Sequence, residues 1–276
     1  MNDARSETPQ RIAIALRSPY VPAVFHELGA ADGYLDAVWP QLARSVETAG
    51  FLGSALYMAD MSAEGVEEVY EPVLSRASLL VAGALTESEA AALVAALDVF
   101  HWVQPQVLLL VAALAEALER PRVGGEGRPD AREASEREQA HLETAVALAA
   151  ADRAPLPQVA ELLQIDPVPD LYRAVAAWPG YLDVAWAELQ HLAAYPDFRR
   201  RGRALYFYAR SSARFLAVPL EADPGALAAR GVGEAEIAAA RTAIDRALPV
   251  LATMMMHCSA MRFALGITTR EVVASG

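Results

Sequence analysis

Asp170 is the residue in this sequence whose type and setting point most directly to chemistry. It stands in Asp166-Pro167-Val168-Pro169-Asp170-Leu171, just before a helical stretch, and the two prolines favour an extended approach to it. A carboxylate in a dry pocket has its pKa raised towards neutrality and can then take a proton from water. Aspartate is also a preferred helix N-cap, so a purely structural capping role is the alternative interpretation.

Gln104 is the second candidate, because it is a polar amide within a long apolar segment. Among Val103, Val107 and Leu108 such a side chain is expected to face a partner. One interpretation is a ligand. The other is the backbone carbonyl groups that Pro105 leaves without hydrogen bonds, since proline has no N–H.

Established motifs for metals, nucleotides and serine hydrolysis are absent from the sequence. The five histidines are scattered, and HExxH, CxxC, GxSxG and a Gly-rich loop after a strand do not occur. His257 and Cys258 follow three methionines and are open to interpretation as a soft-metal site, although a buried helix fits the run better. The arginine run at 199–203 indicates either a solvated helix start or an anion site. We therefore expect no metal and no cofactor.

Helices are the elements that must position these residues. Apolar residues recur at three- and four-residue spacing from Leu35 to Val46, and Thr86-Glu87-Ser88-Glu89 has the pattern of a capping box. A long helix is predicted from there to Leu118, broken or kinked at Pro105, and a similar pattern runs from Glu234 to Leu265. Strand signals are almost absent, so an all-α fold is predicted.

The two halves of the sequence resemble each other. Gly33-Tyr34-Leu35-Asp36-Ala37-Val38-Trp39 returns as Gly180-Tyr181-Leu182-Asp183-Val184-Ala185-Trp186, at an offset of 147 residues. The intervening segment is rich in glycine, proline and charge, as linkers are. We predict two fused homologous helical repeats, residues 1–120 and 139–276, joined by a linker over 121–138 and forming an intramolecular pseudo-dimer.

Charge and composition argue against several classes of partner. The formal charge of −12 disfavours nucleic-acid phosphates and anionic membrane surfaces. No apolar run reaches the ~20 residues that cross a bilayer, and the N-terminus lacks a signal pattern. The single cysteine allows no intrachain disulfide. We expect a cytoplasmic protein with no nucleic-acid or membrane partner, and leave its state open between monomer and homodimer.

Three stretches, taken in order and spacing, carry a resemblance to a known family. They are Leu16–Val21 leading to Gly33–Trp39, Gln104–Glu116 leading to Val123-Gly124-Gly125, and Pro167–Leu171 leading to Trp178-Pro179-Gly180. These stretches are similar to the group I 2-haloacid dehalogenases, the DehI family, whose members accept both D- and L-2-haloacids. The resemblance implies a two-repeat all-α pseudo-dimer. It also implies cofactor-free hydrolysis, in which an aspartate activates water to displace halide at Cα of a small 2-haloalkanoic acid with inversion.

The resemblance also implies a set of site residues. The family aspartate corresponds to Asp170, or to Leu171 when counted without a gap from Trp178-Pro179, and the water-orienting asparagine corresponds to Gln104. Family pocket positions lack their aromatic groups at Ala23 and Ile244. A homologue that binds a small apolar carboxylate without releasing halide is therefore the alternative function. The implied substrate-binding positions are Tyr20, Ala23, Leu171 and Ile244.

Overall fold

The computed structural model describes residues 7–133 and 135–268. In these ranges the chain is all-α, as predicted: helices are joined by loops, and the only strand-like features are two isolated bridges. A short 3-10 helix, Ala213–Phe215, follows α11. The α-helices are α1 (Thr8–Ala15), α2 (Ala23–Ala30), α3 (Tyr34–Val46), α4 (Ala49–Glu67), α5 (Arg76–Ala82), α6 (Glu87–Glu119), α7 (Glu136–Glu143), α8 (Leu156–Leu163), α9 (Asp170–Val175), α10 (Pro179–Ala194), α11 (Pro196–Ser212), α12 (Pro224–Ala229) and α13 (Glu234–Ala264).

The starts of α3 and α6 follow from local sequence. Thr86 and Glu89 form the predicted capping box: Glu89 accepts from the Thr86 N–H at 2.9 Å, and the Thr86 hydroxyl accepts from the Glu89 N–H at 3.2 Å. Gly33, which precedes α3, has φ +72°, a conformation that glycine adopts without steric cost. The apolar stripe predicted from Leu35 to Val46 is buried along α3.

Helix α6 continues through Pro105 rather than breaking there. A proline within a helix costs about 3 kcal/mol, whereas each fully buried leucine contributes about 1.5–3 kcal/mol. Every residue from Val107 to Ala115 is at most 5% exposed, so burial outweighs the lost hydrogen bond. By length and composition alone α6 could also cross a membrane, but 78% of its most apolar window is buried inside the protein. An apolar helix buried on all sides is typical of a protein core.

The chain forms two compact units, and each takes residues from both halves of the sequence. Unit 1 contains the chain up to Met58, Pro105–Glu143 and Tyr206–Leu251. Unit 2 contains Ala59–Gln104, Thr144–Leu205 and the chain from Ala252 onward. The units are thus interleaved along the sequence, whereas the predicted repeats are consecutive, and the repeat boundaries stay a prediction.

Within unit 1, part of the predicted linker is fixed by backbone hydrogen bonds. Val123 and Leu220 exchange N–H to carbonyl bonds of 2.9 and 2.7 Å, and the Ala49 N–H donates to the Asp130 carbonyl at 2.8 Å. Gly124 and Gly125 between these contacts have φ near +90°, which favours glycine at both positions.

Within unit 2, the first half of α6 contacts the second half of α13. The Cys258 thiol donates to the Leu97 carbonyl at 3.4 Å, and Arg262 Nε donates to Asp98 Oδ1 at 2.9 Å. Gly180 in α10 lies so close to α5 that an added Cβ would stand 2.6 Å from the Gly83 carbonyl oxygen. Only glycine allows this approach of the two backbones.

Candidate active site

Asp170 is the first residue of the six-residue helix α9. The N-cap position is Pro169, whose extended backbone (φ −63°, ψ 143°) gives the approach that the prolines predicted, and no side chain caps the helix. The interpretation of Asp170 as the N-cap is therefore wrong. Its side chain is only 12% exposed, and a carboxylate in the first turn is stabilised by the helix dipole.

Arg173 holds the Asp170 carboxylate from one turn further along α9. Its Nη1 lies 3.4 Å from Asp170 Oδ1, and its Nε donates to the Ala149 carbonyl at 2.8 Å. The Ala149 N–H in turn donates to the Arg173 carbonyl at 3.0 Å. A positive charge beside a largely buried carboxylate favours its ionised form, the form that can accept a proton.

Leu171, the other position at which the family aspartate was expected, is fully buried. An aliphatic side chain accepts no proton, so of these two residues only Asp170 could act as a base. The correspondence between the family aspartate and one of these two residues stays a prediction.

Gln104 is 5% exposed and belongs to the same compact unit as Asp170. Its Oε1 is buried without a hydrogen-bond partner among the described residues. The carbonyl groups near Pro105, the alternative partners, are acceptors, so they could bond only the amide nitrogen and would leave this oxygen unsatisfied. Because a buried unpaired acceptor costs about 1–3 kcal/mol, this oxygen calls for a donor such as a water O–H.

A buried pair, Tyr172 and His257, joins α9 to α13 within unit 2. The Tyr172 hydroxyl lies 2.7 Å from His257 Nδ1, and both side chains are fully buried. Burial lowers the pKa of His257 to about 4, so the imidazole is neutral at ordinary pH. Burial also raises the pKa of Tyr172 well above its ordinary value. The Phe198 ring lies 5.7 Å from the imidazole, and Trp186 packs edge-on against Tyr172.

The run Met254 to Cys258 forms part of the buried core. All five residues are at most 2% exposed, and both His257 Nδ1 and the Cys258 thiol have hydrogen-bond partners. In the described ranges no group of three or more His, Cys, Asp or Glu side chains could hold a metal ion. The burial of these five side chains and the two hydrogen bonds are those expected of a buried helix, the interpretation favoured from the sequence.

The other three predicted site residues belong to unit 1. Tyr20 is partly exposed, and its N–H and carbonyl both bond the Ser18 hydroxyl. Ala23 opens α2 and is partly exposed, whereas Ile244 is fully buried in α13. That these three residues bind the same substrate as Asp170 stays a prediction.

Comparison with known proteins identifies the family. The family described as halocarboxylic acid dehydrogenase DehI matches residues 19–158, which is just over half of the chain. This chain is a member of the DehI family. No curated protein matches it.

Solved structures similar to this DehI family member share its fold. One is described as a D-2-haloacid dehalogenase mutant in complex with D-2-CPA, with 18% identity and a TM-score of 0.83. Another is described as D-2-haloacid dehalogenase in complex with L-LA, with 18% identity and a TM-score of 0.84. Each match covers 96% of this chain and 93% of the other chain.

Sequence reasoning missed three residues around the DehI-family aspartate candidate. Arg173 and Tyr172 lie within one turn of Asp170, so a helix drawn from Asp170 could have placed Arg173 beside it at i+3. His257 was recognised as buried but had no assigned partner. Its bond to Tyr172 joins residues 85 positions apart, which no local pattern encodes.

Proposed function

We propose that this protein hydrolyses the carbon–halogen bond of small 2-haloalkanoic acids. One observation carries the proposal: a largely buried, charge-paired carboxylate, Asp170, shares a compact unit with a buried amide oxygen, Gln104 Oε1, that has no partner among the described residues. A base and a second acceptor are what a nucleophilic water needs, since its two O–H groups must both be directed. Family membership and the fold shared with D-2-haloacid dehalogenases support this choice.

In the proposed reaction Asp170 is the general base and Gln104 orients the water. One water proton passes to the Asp170 carboxylate while the oxygen forms a bond to Cα. The carbon–halogen bond breaks on the opposite face, and the halide leaves with the bonding electron pair. The product is the 2-hydroxy acid of inverted configuration. Asp170 then releases its proton to solvent, so each turnover yields one halide ion and one proton.

The test is halide release from D- and L-2-chloropropanoate. We expect chloride and protons to appear in equal amounts. A single turnover with excess enzyme in water labelled with heavy oxygen should place the label in the product. A label that is missing from the first product would indicate an ester intermediate on Asp170. An absence of halide release from every 2-haloacid tried would rule out the proposed activity.

A carboxylate-binding homologue without dehalogenase activity is the second candidate. Two observations favour it: Leu171 stands at the ungapped position of the family aspartate, and Arg173 stabilises the Asp170 anion, which makes it a weaker base. Binding of propanoate without halide release from its 2-chloro analogue would support this function over the first.

We further propose that the fold is built from the two predicted repeats, 1–120 and 139–276, with 121–138 between them. Residues 34–45 and the residues 147 positions later, 181–192, share the same degree of burial. The boundaries of the compact units support the same offset. The chain passes between units after residues 58 and 104, and again 147 positions later, after residues 205 and 251. The buried aromatic pairs are Tyr34 with Tyr181, Trp39 with Trp186, and Phe51 with Phe198.

A cytoplasmic location, a homodimeric state and the roles of Tyr20, Ala23 and Ile244 in substrate binding also stay proposals. Light scattering tests the oligomeric state, and substitution of each unit 1 residue tests for a change in KM.

A further inference from the structure

His257 carries a hydrogen-bonding atom that nothing in the described structure satisfies. Its Nδ1 contacts the Tyr172 hydroxyl at 2.7 Å, but its Nε2 is buried without a hydrogen-bond partner among the described residues. Buried polar atoms are nearly always paired, with protein, ordered water or ligand. The unpaired Nε2 of a fully buried imidazole therefore points to a bound group.

The bond to Tyr172 indicates which hydrogen-bonding role Nε2 plays. A phenol is a stronger acid than a neutral imidazole, so the arrangement in which Tyr172 donates its O–H to Nδ1 is favoured. A neutral imidazole that accepts at Nδ1 carries its hydrogen on Nε2. The unpaired atom is therefore a donor, and its ligand must be an acceptor.

The surroundings make this donor effective for a small anion. Tyr172 and Phe198 pack around the imidazole, and a hydrogen bond in such an apolar setting is stronger than one in water. Tyr172 lies two residues after Asp170 in α9 and bonds His257 in α13, so the pair lies in the same compact unit as the candidate base. Because the charge of Arg173 is already paired with Asp170, a bound carboxylate would gain from a donor elsewhere in the unit.

We propose that His257 Nε2–H is a hydrogen-bond donor to the carboxylate of the small organic acid that binds in unit 2, a role that rests on the proposed function. The neutral imidazole binds the acid without taking its proton. Tyr172 fixes the tautomer through Nδ1, as second groups fix histidines in other sites.

Two variants of His257 separate this role from a packing role. H257N keeps polar atoms near Nδ1 and removes those near Nε2, whereas H257Q does the reverse. We expect H257N to weaken propanoate binding, measured by calorimetry, by about tenfold or more, the effect of one hydrogen bond to a charged acceptor. H257Q should stay within about threefold of wild type, because it keeps a donor near Nε2.

Nitrogen NMR of the wild-type imidazole provides the independent readout. We expect the Nε2–H signal to shift on saturation with propanoate, while Nδ1 keeps the shift of an acceptor. An unchanged Nε2–H signal, a wild-type protein that binds no propanoate, or equal losses in the two variants would each overturn the proposal. Should either variant fail to fold, the NMR result on the wild type decides. If propanoate binds through His257 but no haloacid loses halide, the proposed activity fails and this assignment stands.

Discussion

The guanidinium of Arg173 lies 3.4 Å from the Asp170 carboxylate and anchors it to the backbone of Ala149. Exposed pairs of this spacing on a helix contribute only a few tenths of a kcal/mol. This pair is better shielded, since the Asp170 side chain is 12% exposed. Its main consequence is electrostatic, because a guanidinium beside a shielded carboxylate stabilises the negative charge.

Replacing Arg173 should therefore change how activity depends on pH. In R173M the carboxylate loses its counter-charge and binds a proton more readily, so halide release should fall most at the acidic end of the active range. R173K keeps the charge and should behave more like wild type. The measurement is the rate of chloride release against pH for the three proteins. Parallel profiles of R173M and wild type would show that Arg173 acts only through packing.

Replacing Asp170 tests the base itself. D170N keeps the shape of the side chain but cannot accept a proton, so halide release should fall about 100- to 10,000-fold, the usual contribution of a general base. D183N is the matched control, because Asp183 is an exposed residue of α10 in the same unit. Chloride release by D183N should equal that of wild type. Full activity in D170N would remove Asp170 from the mechanism.

Gln104 should show activity and stability moving in opposite directions. Q104L removes a buried oxygen that has no partner among the described residues. The free energy of unfolding should therefore stay unchanged or rise by about 1 kcal/mol, while halide release falls about tenfold or more because the water is misplaced.

Gln106, on the same helix, provides the comparison, because its amide nitrogen has an identified partner. It is fully buried, and its Nε2 donates to the Leu16 carbonyl at 3.3 Å. Q106L should therefore lower the free energy of unfolding by about 1–3 kcal/mol. Urea unfolding of both variants makes the comparison, and a Q104L protein destabilised as much as Q106L would contradict the assignment of Gln104.

His257 should make stability depend on pH below neutrality. Burial lowers its pKa from 6.5 to about 4 in the folded protein, so between these values the unfolded chain binds a proton that the folded protein does not. The stability contributed by neutral His257 is present above pH 6.5 and is lost as the pH falls towards 4, by about 3 kcal/mol in all.

The measurement is urea unfolding at pH 7 and pH 5, with H257Q as the control that cannot titrate at this position. Wild type should lose about 2 kcal/mol more than H257Q over this interval. Equal losses would mean that His257 is protonated in the folded protein or that its surroundings admit water.

Local patterns predicted several elements correctly and missed others for identifiable reasons. The capping box of Thr86 and Glu89 and the stripe along α3 involve residues within a few positions of one another, so the sequence encodes them directly. A break at Pro105 was wrong because burial around α6 outweighs one lost hydrogen bond, and the alternative of a kink there stays a prediction. The N-cap of α9 is Pro169, one residue before Asp170, the residue whose type suggested a cap. A helix boundary is defined by backbone angles, which residue type predicts only loosely.

For the candidate site, the sequence by itself determined an all-α chain and the resemblance to the DehI family. It also singled out Asp170 and Gln104 as the polar side chains to examine, since type and neighbours alone made them unusual. Only the tertiary structure decided that Gln104 Oε1 is buried with no partner in the part of the chain that the structure describes, and that Tyr172 bonds His257 from 85 residues away. Such pairings depend on which helix faces pack together, and packing is settled by the whole core rather than by any local run of residues.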